Sequence, residues 1–256
     1  MKKKKEFKYI YGPVPSWRLG RSLGVDLVSG IKVCPFDCTY CQLGKTADHS
    51  MKRRLFNTTR SIVKELQALP PLKADYITLS GTGEPTLALN LGKVIKEIKS
   101  RYKYPLAVLT NSTLLSDDRV RKELAPADLV IAKIDAVNDE TLAMINRPVE
   151  GLFFEDIFKG IKLFKKESPN KLALQIMFVR KNKRYAPLLA KLAKNIEPVE
   201  VQINTPLRHC PEKPLLPEEL FKIKQLFAPL KAYSVYDKAR YRTKPISTEK
   251  TKMRRP

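Results

Sequence analysis

The sequence is short of acidic residues, histidine and tryptophan, and it has no long apolar run. Its 256 residues include two histidines, one tryptophan and four cysteines. No stretch approaches the roughly 18 consecutive apolar residues that a membrane-crossing helix needs, so no such span is expected. Lysines crowd the start, "MKKKKEFKYIYGPVPSWRLG", without an apolar run after them. A secretory leader needs that run, so none is expected. The expected compartment is therefore the cytoplasm, which is reducing. Four cysteines there serve as ligands or free thiols rather than as a disulfide framework. The two histidines, His49 and His209, fall in no motif.

The shortage of acids leaves a net charge of +23, from 49 Lys and Arg against 26 Asp and Glu. The excess is uneven: +9 over residues 1–60, zero over 61–150 and +14 over 151–256. Such a balance attracts polyanions, with nucleic acid the first candidate. The plain alternative is a solvated surface with two basic tails. Apolar residues make up 43% of the chain, enough for a globular core of one large domain.

What is present alternates. Strand patterns occur at 21–28, 75–80, 105–110, 128–135, 171–179 and 199–205. Helical patterns occur at 59–69, 91–102, 116–124, from 139, at 154–167, 184–195 and 216–230, with Ser116 expected to cap the third. Six strands separated by helices imply right-handed crossovers and a parallel sheet. Six units fall short of a closed eight-strand barrel. The expected fold is α/β, a partial (β/α)6 TIM-like barrel over residues 1–237, with residues 238–256 a flexible basic C-terminal arm.

The unusual residues follow the strands. The first strand leads to "IKVCPFDCTYCQLGK", with Cys34, Cys38 and Cys41 spaced Cys-x3-Cys-x2-Cys. "GTGEP" (81–85) follows the second, "TNST" (110–113) the third, Asp135 ends the fourth, "RKNKR" (180–184) follows the fifth and "NTPLRHCP" (204–211) the sixth. In parallel α/β folds such loops ring one mouth, where sites are built. Gly and Pro there mark turns in any case; Glu84 and the cysteines need another reason. Zinc wants four ligands, so a tetrahedron would have to recruit His209 or Cys210 from a distant loop. A disulfide would leave one cysteine of the trio over. An iron–sulfur cluster on three thiolates would keep one iron open for a ligand.

"CPFDCTYC", with "YGPVPSWRLGRSLGVDL" before it, "GTGEPTL" after the second strand and "KIDAVNDETLAMINRP" closing the fourth, resembles the radical S-adenosylmethionine (radical SAM) superfamily. Within it the pattern is similar to the wyosine-synthase-like Fe–S oxidoreductases. The resemblance covers most of residues 9–210. It implies one 4Fe–4S cluster on Cys34, Cys38 and Cys41, with S-adenosylmethionine bound to the open iron. It also implies Glu84 at the methionine ammonium, Gly81 and Gly83 where the backbone comes close, and Tyr40 near adenine. Asn111 and Asp135 are implied polar contacts to cofactor or substrate. A reducing partner such as flavodoxin or ferredoxin would supply the electron. Wyosine-forming members carry three further cysteines for a second cluster, and only Cys210 remains here.

The expected function is a radical SAM enzyme that abstracts a substrate hydrogen, the substrate being RNA and most plausibly tRNA. Arg180, Lys181, Lys183, Arg184 and Arg208, in mouth loops, are the expected nucleic-acid contacts. The alternatives are a radical SAM enzyme acting on a protein, as a glycyl-radical activase does, or on a small molecule. A third is a zinc-stabilised nucleic-acid-binding module without catalysis.

Overall fold

Strand residues alternate between two environments, and that alternation builds the molecule. The computed structural model describes residues 7–237 and 241–255. β1 (Ile10–Ser16) and β2 (Gly20–Val25) form an antiparallel hairpin. The two-residue strands β3 (Val33–Cys34) and β4 (Asp48–His49) pair in parallel and close the cysteine loop between them. There follow α1 (Thr59–Gln67), β5 (Tyr76–Leu79), α2 (Leu91–Arg101), β6 (Leu106–Thr110), α3 (Asp118–Leu124) and β7 (Leu129–Lys133). After these come α4 (Asp139–Ile145), α5 (Phe154–Glu167), β8 (Leu172–Met177), α6 (Ala186–Ile196) and β9 (Glu200–Asn204). The chain ends with α7 (Pro217–Gln225), β10 (Ala232–Ser234) and α8 (Thr248–Arg254).

The main sheet has the order β1-β2-β5-β6-β7-β8-β9-β10, parallel from β2 onward. Its outer face carries Ile77, Leu79, Val108, Val130, Leu174 and Ile203, in one core with the helices. Its inner face buries Ala107, Ile131 and Ala173 around Leu19. One step further along the strands the inner residues turn polar: Lys133 stands level with Gln175, and Gln175 with Gln202. The inner face is thus apolar near the strand starts and polar towards their carboxyl ends. This is a mostly parallel, curled half-barrel, as the alternation in the sequence predicts.

Three expectations need correction. The six expected strands are β2 and β5–β9, but β1 and β10 also join the sheet. "IYGPVPS" carries Gly and two prolines, which weaken a strand pattern; an edge strand tolerates them because one side of its ladder goes unused. β10 has only three residues, too short for a period. The third helix is capped by Asp117, which accepts from Arg119 N, rather than by Ser116. The C-terminal segment is not a loose arm over 248–254: α8 is capped by Ser247 and lies against β1, and Arg254 is buried at 4% exposure. Its guanidinium Nε meets Asp26 Oδ2 at 2.8 Å, which is what makes burial of a basic tail residue tolerable.

Candidate active site

The loops after β2, β5, β6 and β9, with the inner ends of β7 and β8, surround a cleft of about 540 Å3. Cys34, Cys38 and Cys41 all line it, and none is in a disulfide. Their loop is held from several sides. Cys41 N donates to Cys38 O at 3.0 Å, and Lys32 Nζ to Gly44 O at 2.5 Å. Thr39 N donates to Ile145 O at 2.9 Å, which ties the loop to the end of α4. Side-chain amides point at two of the sulfurs: Asn111 Nδ2 lies 3.4 Å from Cys34 Sγ, and Asn146 Nδ2 is 3.4 Å from Cys38 Sγ. Burial, with Cys38 and Glu84 nearby, pushes the Cys34 thiol up to about 12. Burial raises Cys38 as well. Metal binding there must therefore displace protons.

The donor set fits a cluster better than a single ion. Among the described residues no three His, Cys, Asp or Glu side chains stand close enough together to hold one metal ion. A polynuclear cluster spreads its thiolates around itself and does not need them to converge on one point. Cys210, a possible fourth zinc ligand, instead donates its thiol to Glu212 O at 3.2 Å.

Glu84 is 3% exposed and braces two loops. Its Oε1 accepts from Thr86 N (3.1 Å), Thr86 Oγ1 (2.7 Å) and Thr110 Oγ1 (2.7 Å), and its Oε2 from Asn111 N (2.7 Å). Burial raises its pKa, against the pull of those donors. Oε2 keeps acceptor capacity towards the cleft. Gly81 and Gly83 are where backbones meet: an added Cβ would overlap the Asp26 carboxyl at the first and the Val33 carbonyl oxygen at the second. Both glycines thus press the loop after β5 onto the segments that carry the cysteines.

Tyr40 lines the cleft and Asp135 stands behind it, in a small adjoining cavity. The Tyr40 hydroxyl donates to Asp135 Oδ2, which also accepts from Asn146 Nδ2 at 2.9 Å. Asp135 Oδ1 accepts from Met177 N at 2.7 Å. So Asp135 does not reach the cleft; it holds Tyr40. Burial, with Asp135 and Cys38, keeps the Tyr40 hydroxyl well above its ordinary pKa. Lys133 Nζ donates to the Tyr40 hydroxyl at 3.0 Å and lies 4.7 Å from the ring centroid. Burial would lower Lys133, but Asp135 and the three cysteines outweigh it and raise it.

The basic residues expected to touch nucleic acid divide. Arg208 lines the cleft, its Nη1 3.2 Å from Gln42 Oε1. Arg180, Lys181, Lys183 and Arg184 are exposed and do not line it. Lys181 pairs with Glu212 and Lys183 with Glu219, both at 2.7 Å, and Arg184 stacks on Tyr185. Lys133, Asn146, Arg18 and Arg255 were not singled out in the sequence. For Lys133 a signal existed: it is the one charge in "LVIAK", in step with the inward Leu129 and Ile131. The other three owe their place to tertiary contacts.

The radical SAM superfamily model matches residues 28–193. The UPF0026 protein slr1464 of Synechocystis sp. is 44% identical over 210 residues, covering 80% of this chain and 78% of that one. The UPF0026 protein MJ1312 of Methanocaldococcus jannaschii is 34% identical over 225 residues, covering 85% and 70%. A radical SAM methyltransferase from Sphaerobacter thermophilus has a similar fold, with TM-score 0.61 and 14% identity over 83% of this chain and 65% of that one. So does anSMEcpe with bound AdoMet, with TM-score 0.62 and 19% identity over 84% and 64%. The chain spans about two thirds of the length of these two structures.

Proposed function

The chain belongs to the radical SAM superfamily, within its UPF0026 family, and on that premise we propose a single-cluster enzyme that modifies RNA, with tRNA the first substrate class. One observation carries the reading: the cysteine trio and the Gly81–Glu84 loop, far apart in sequence, line the same cleft. Cys34, Cys38 and Cys41 would hold a 4Fe–4S cluster, with S-adenosylmethionine beside it. Bound together and given one electron by a flavodoxin or ferredoxin, they would supply hydrogen-abstracting radical chemistry, the sulfonium C–S bond breaking to methionine and a 5′-deoxyadenosyl radical.

The chain's own part is positioning. The free acceptor capacity of Glu84 Oε2 suits the ammonium of an amino acid. Asn111 and Asn146, donating towards Cys34 and Cys38, stabilise thiolate charge. Tyr40, fixed by Asp135 and Lys133, offers a rigid aromatic wall. Within this sequence Cys210 alone cannot seat a second cluster of the same kind, which supports the single-cluster reading.

The RNA half of the reading is supported by the net charge of +23 and by Arg208 on the cleft. A base extruded from a folded RNA could enter while the backbone lies on the basic surface. The test is a mass comparison of tRNA nucleosides from cells with and without the gene. Loss of one modified nucleoside is expected. Identical nucleoside profiles, with the protein expressed in the control, would remove the RNA reading and leave the protein or small-molecule alternatives.

A further inference from the structure

Among the described residues, Arg18 in the cleft keeps two buried N–H groups without a hydrogen-bond acceptor. Arg18 lies in the turn between β1 and β2, next to Leu19, which packs against the inner apolar residues Ala107, Ile131 and Ala173. Its Nε and Nη1 are sealed from solvent and meet no hydrogen-bond acceptor, while the residue as a whole lines the cleft. An unpaired guanidinium at such a depth is costly unless an anion completes it.

Two more arginines face the same space. Arg208 follows β9, and Arg255 follows α8. Arg255 Nη2 donates to Ser80 Oγ at 3.3 Å, and its Nε is also buried without an acceptor. Burial first, then the charges of Arg255 and Arg208, lowers Arg18 to about 9, with Glu200 pulling the other way. Glu200 is itself engaged by Gln202 Nε2 at 2.7 Å. The site is built rather than incidental. Arg254, bound to Asp26, fixes the residue beside it, and Gln42 links Arg208 to the backbone just before Arg255: its Oε1 takes Arg208 Nη1, and its Nε2 donates to Arg254 O at 3.0 Å. Gln42 directly follows Cys41, so the arginine group and the cysteine loop are tied together.

We propose that Arg18, Arg208 and Arg255 form a phosphate-binding subsite for the substrate. Planar guanidinium forks match phosphate oxygens two at a time, and three of them exceed what a single carboxylate needs. The subsite draws on the turn before β2, the loop after β9 and the end of α8. The cysteines, Glu84 and Asn111 come instead from the loops after β2, β5 and β6, the side expected to hold the cofactor. A substrate phosphate gripped by the arginines would therefore leave its sugar or base facing the cysteine side. This step rests on the RNA reading for what carries the phosphate, and on the arginine geometry for the phosphate itself.

The molecule contains its own reporter. Trp17, the one tryptophan in the sequence, lines the cleft with the Arg18 Cζ 5.1 Å from its ring centroid. Titrating the full chain with inorganic pyrophosphate should give a saturable change in Trp17 fluorescence. Arg18→Met should weaken that binding roughly ten-fold or more, and Arg18→Lys should recover part of it. Because the substitution removes an unpaired buried charge, Arg18→Met should melt no lower than the natural chain; if it does not fold, Arg255→Gln serves in its place. S-adenosylmethionine affinity of the cluster-loaded protein, read by calorimetry, should change less than about two-fold. Pyrophosphate binding that ignores these substitutions, or S-adenosylmethionine affinity that falls in step with it, overturns the subsite. Competition by tRNA separates the two readings. Pyrophosphate binding that tRNA cannot displace keeps the subsite and sinks RNA. Binding of tRNA that is indifferent to the arginines does the reverse.

Discussion

Glu84 gathers four donors from two loops, so its loss is felt beyond the charge it carries. Glu84→Ala should strand buried donors of Thr86, Thr110 and Asn111 and cost about 3 kcal/mol in urea unfolding. Glu84→Gln, whose one oxygen can keep the three bonds now made to Oε1 but not the one from Asn111 N, should cost less and weaken S-adenosylmethionine binding more than it weakens the fold. Equal stability of the alanine variant and the natural chain would contradict the brace. Asp128 offers a pH test. Burial works against its charge, but hydrogen bonds from Lys99 and Leu106 N outweigh that and hold its pKa below the ordinary value. A depressed carboxyl stabilises the fold above its unfolded pKa of about 3.9 and loses that contribution as pH falls through the folded value. Asp128→Asn should therefore flatten the acid limb of stability against pH, and an unchanged limb would argue against it. At this scale short spacing marks the cysteine trio, Gly81, Gly83 and Glu84 in the sequence, and the fold brings them all to one cleft. Asp135 was singled out too, yet its carboxylate turns to Tyr40, because a strand-end position fixes the level of a side chain and not its partner. Arg18 and Arg255 gave no signal, since 237 residues separate them in the chain and only the fold brings both to the cleft.

At the scale of elements, α8 changes the meaning of the basic C-terminus. Composition made residues 238–256 an arm for catching RNA, whereas Arg254 and Asp26 form an ion pair with side chains 4% and 2% exposed. Thr251 Oγ1 accepts from Gly12 N at 3.0 Å, which fastens the helix to β1. Arg254→Ala should leave Asp26 charged and buried and cost about 3–5 kcal/mol, measured by chemical denaturation. A cost below about 1 kcal/mol, the range of exposed pairs, would contradict the buried pairing. Deleting the segment would accordingly perturb folding as well as binding, so point substitutions are the cleaner probe of its charge. The helix escaped the sequence reading because "STEKTKMRR" has almost no apolar face to give a period; its capping serine and its ion pair do the holding instead. By contrast, α5 matches its expected bounds of 154–167, since its apolar residues repeat at helical spacing over fourteen residues.

At the scale of the molecule, one curled sheet brings the loops after its parallel strands to one end, and those after β2, β5, β6 and β9 line a common cleft. That much follows from alternating strand and helix patterns, because parallel strands oblige every crossover to return its next loop to the same end. The charge of the whole does not follow the same logic: of five basic residues expected at the mouth, Arg208 lines the cleft and the others face solvent. If the basic surface binds tRNA, affinity should fall steeply with salt, log affinity against log salt being linear with a slope that counts phosphate contacts. A flat salt dependence would contradict polyelectrolyte binding. A catalytic cluster seat at Cys34, Cys38 and Cys41 can be checked by anaerobic reconstitution of the natural chain and of Cys38→Ala, with iron and 5′-deoxyadenosine measured on each. The natural chain should be brown, hold about four irons and release 5′-deoxyadenosine under a strong reductant, and the variant should do neither. A colourless natural chain that binds zinc, or a Cys38→Ala variant that still cleaves S-adenosylmethionine, would contradict it.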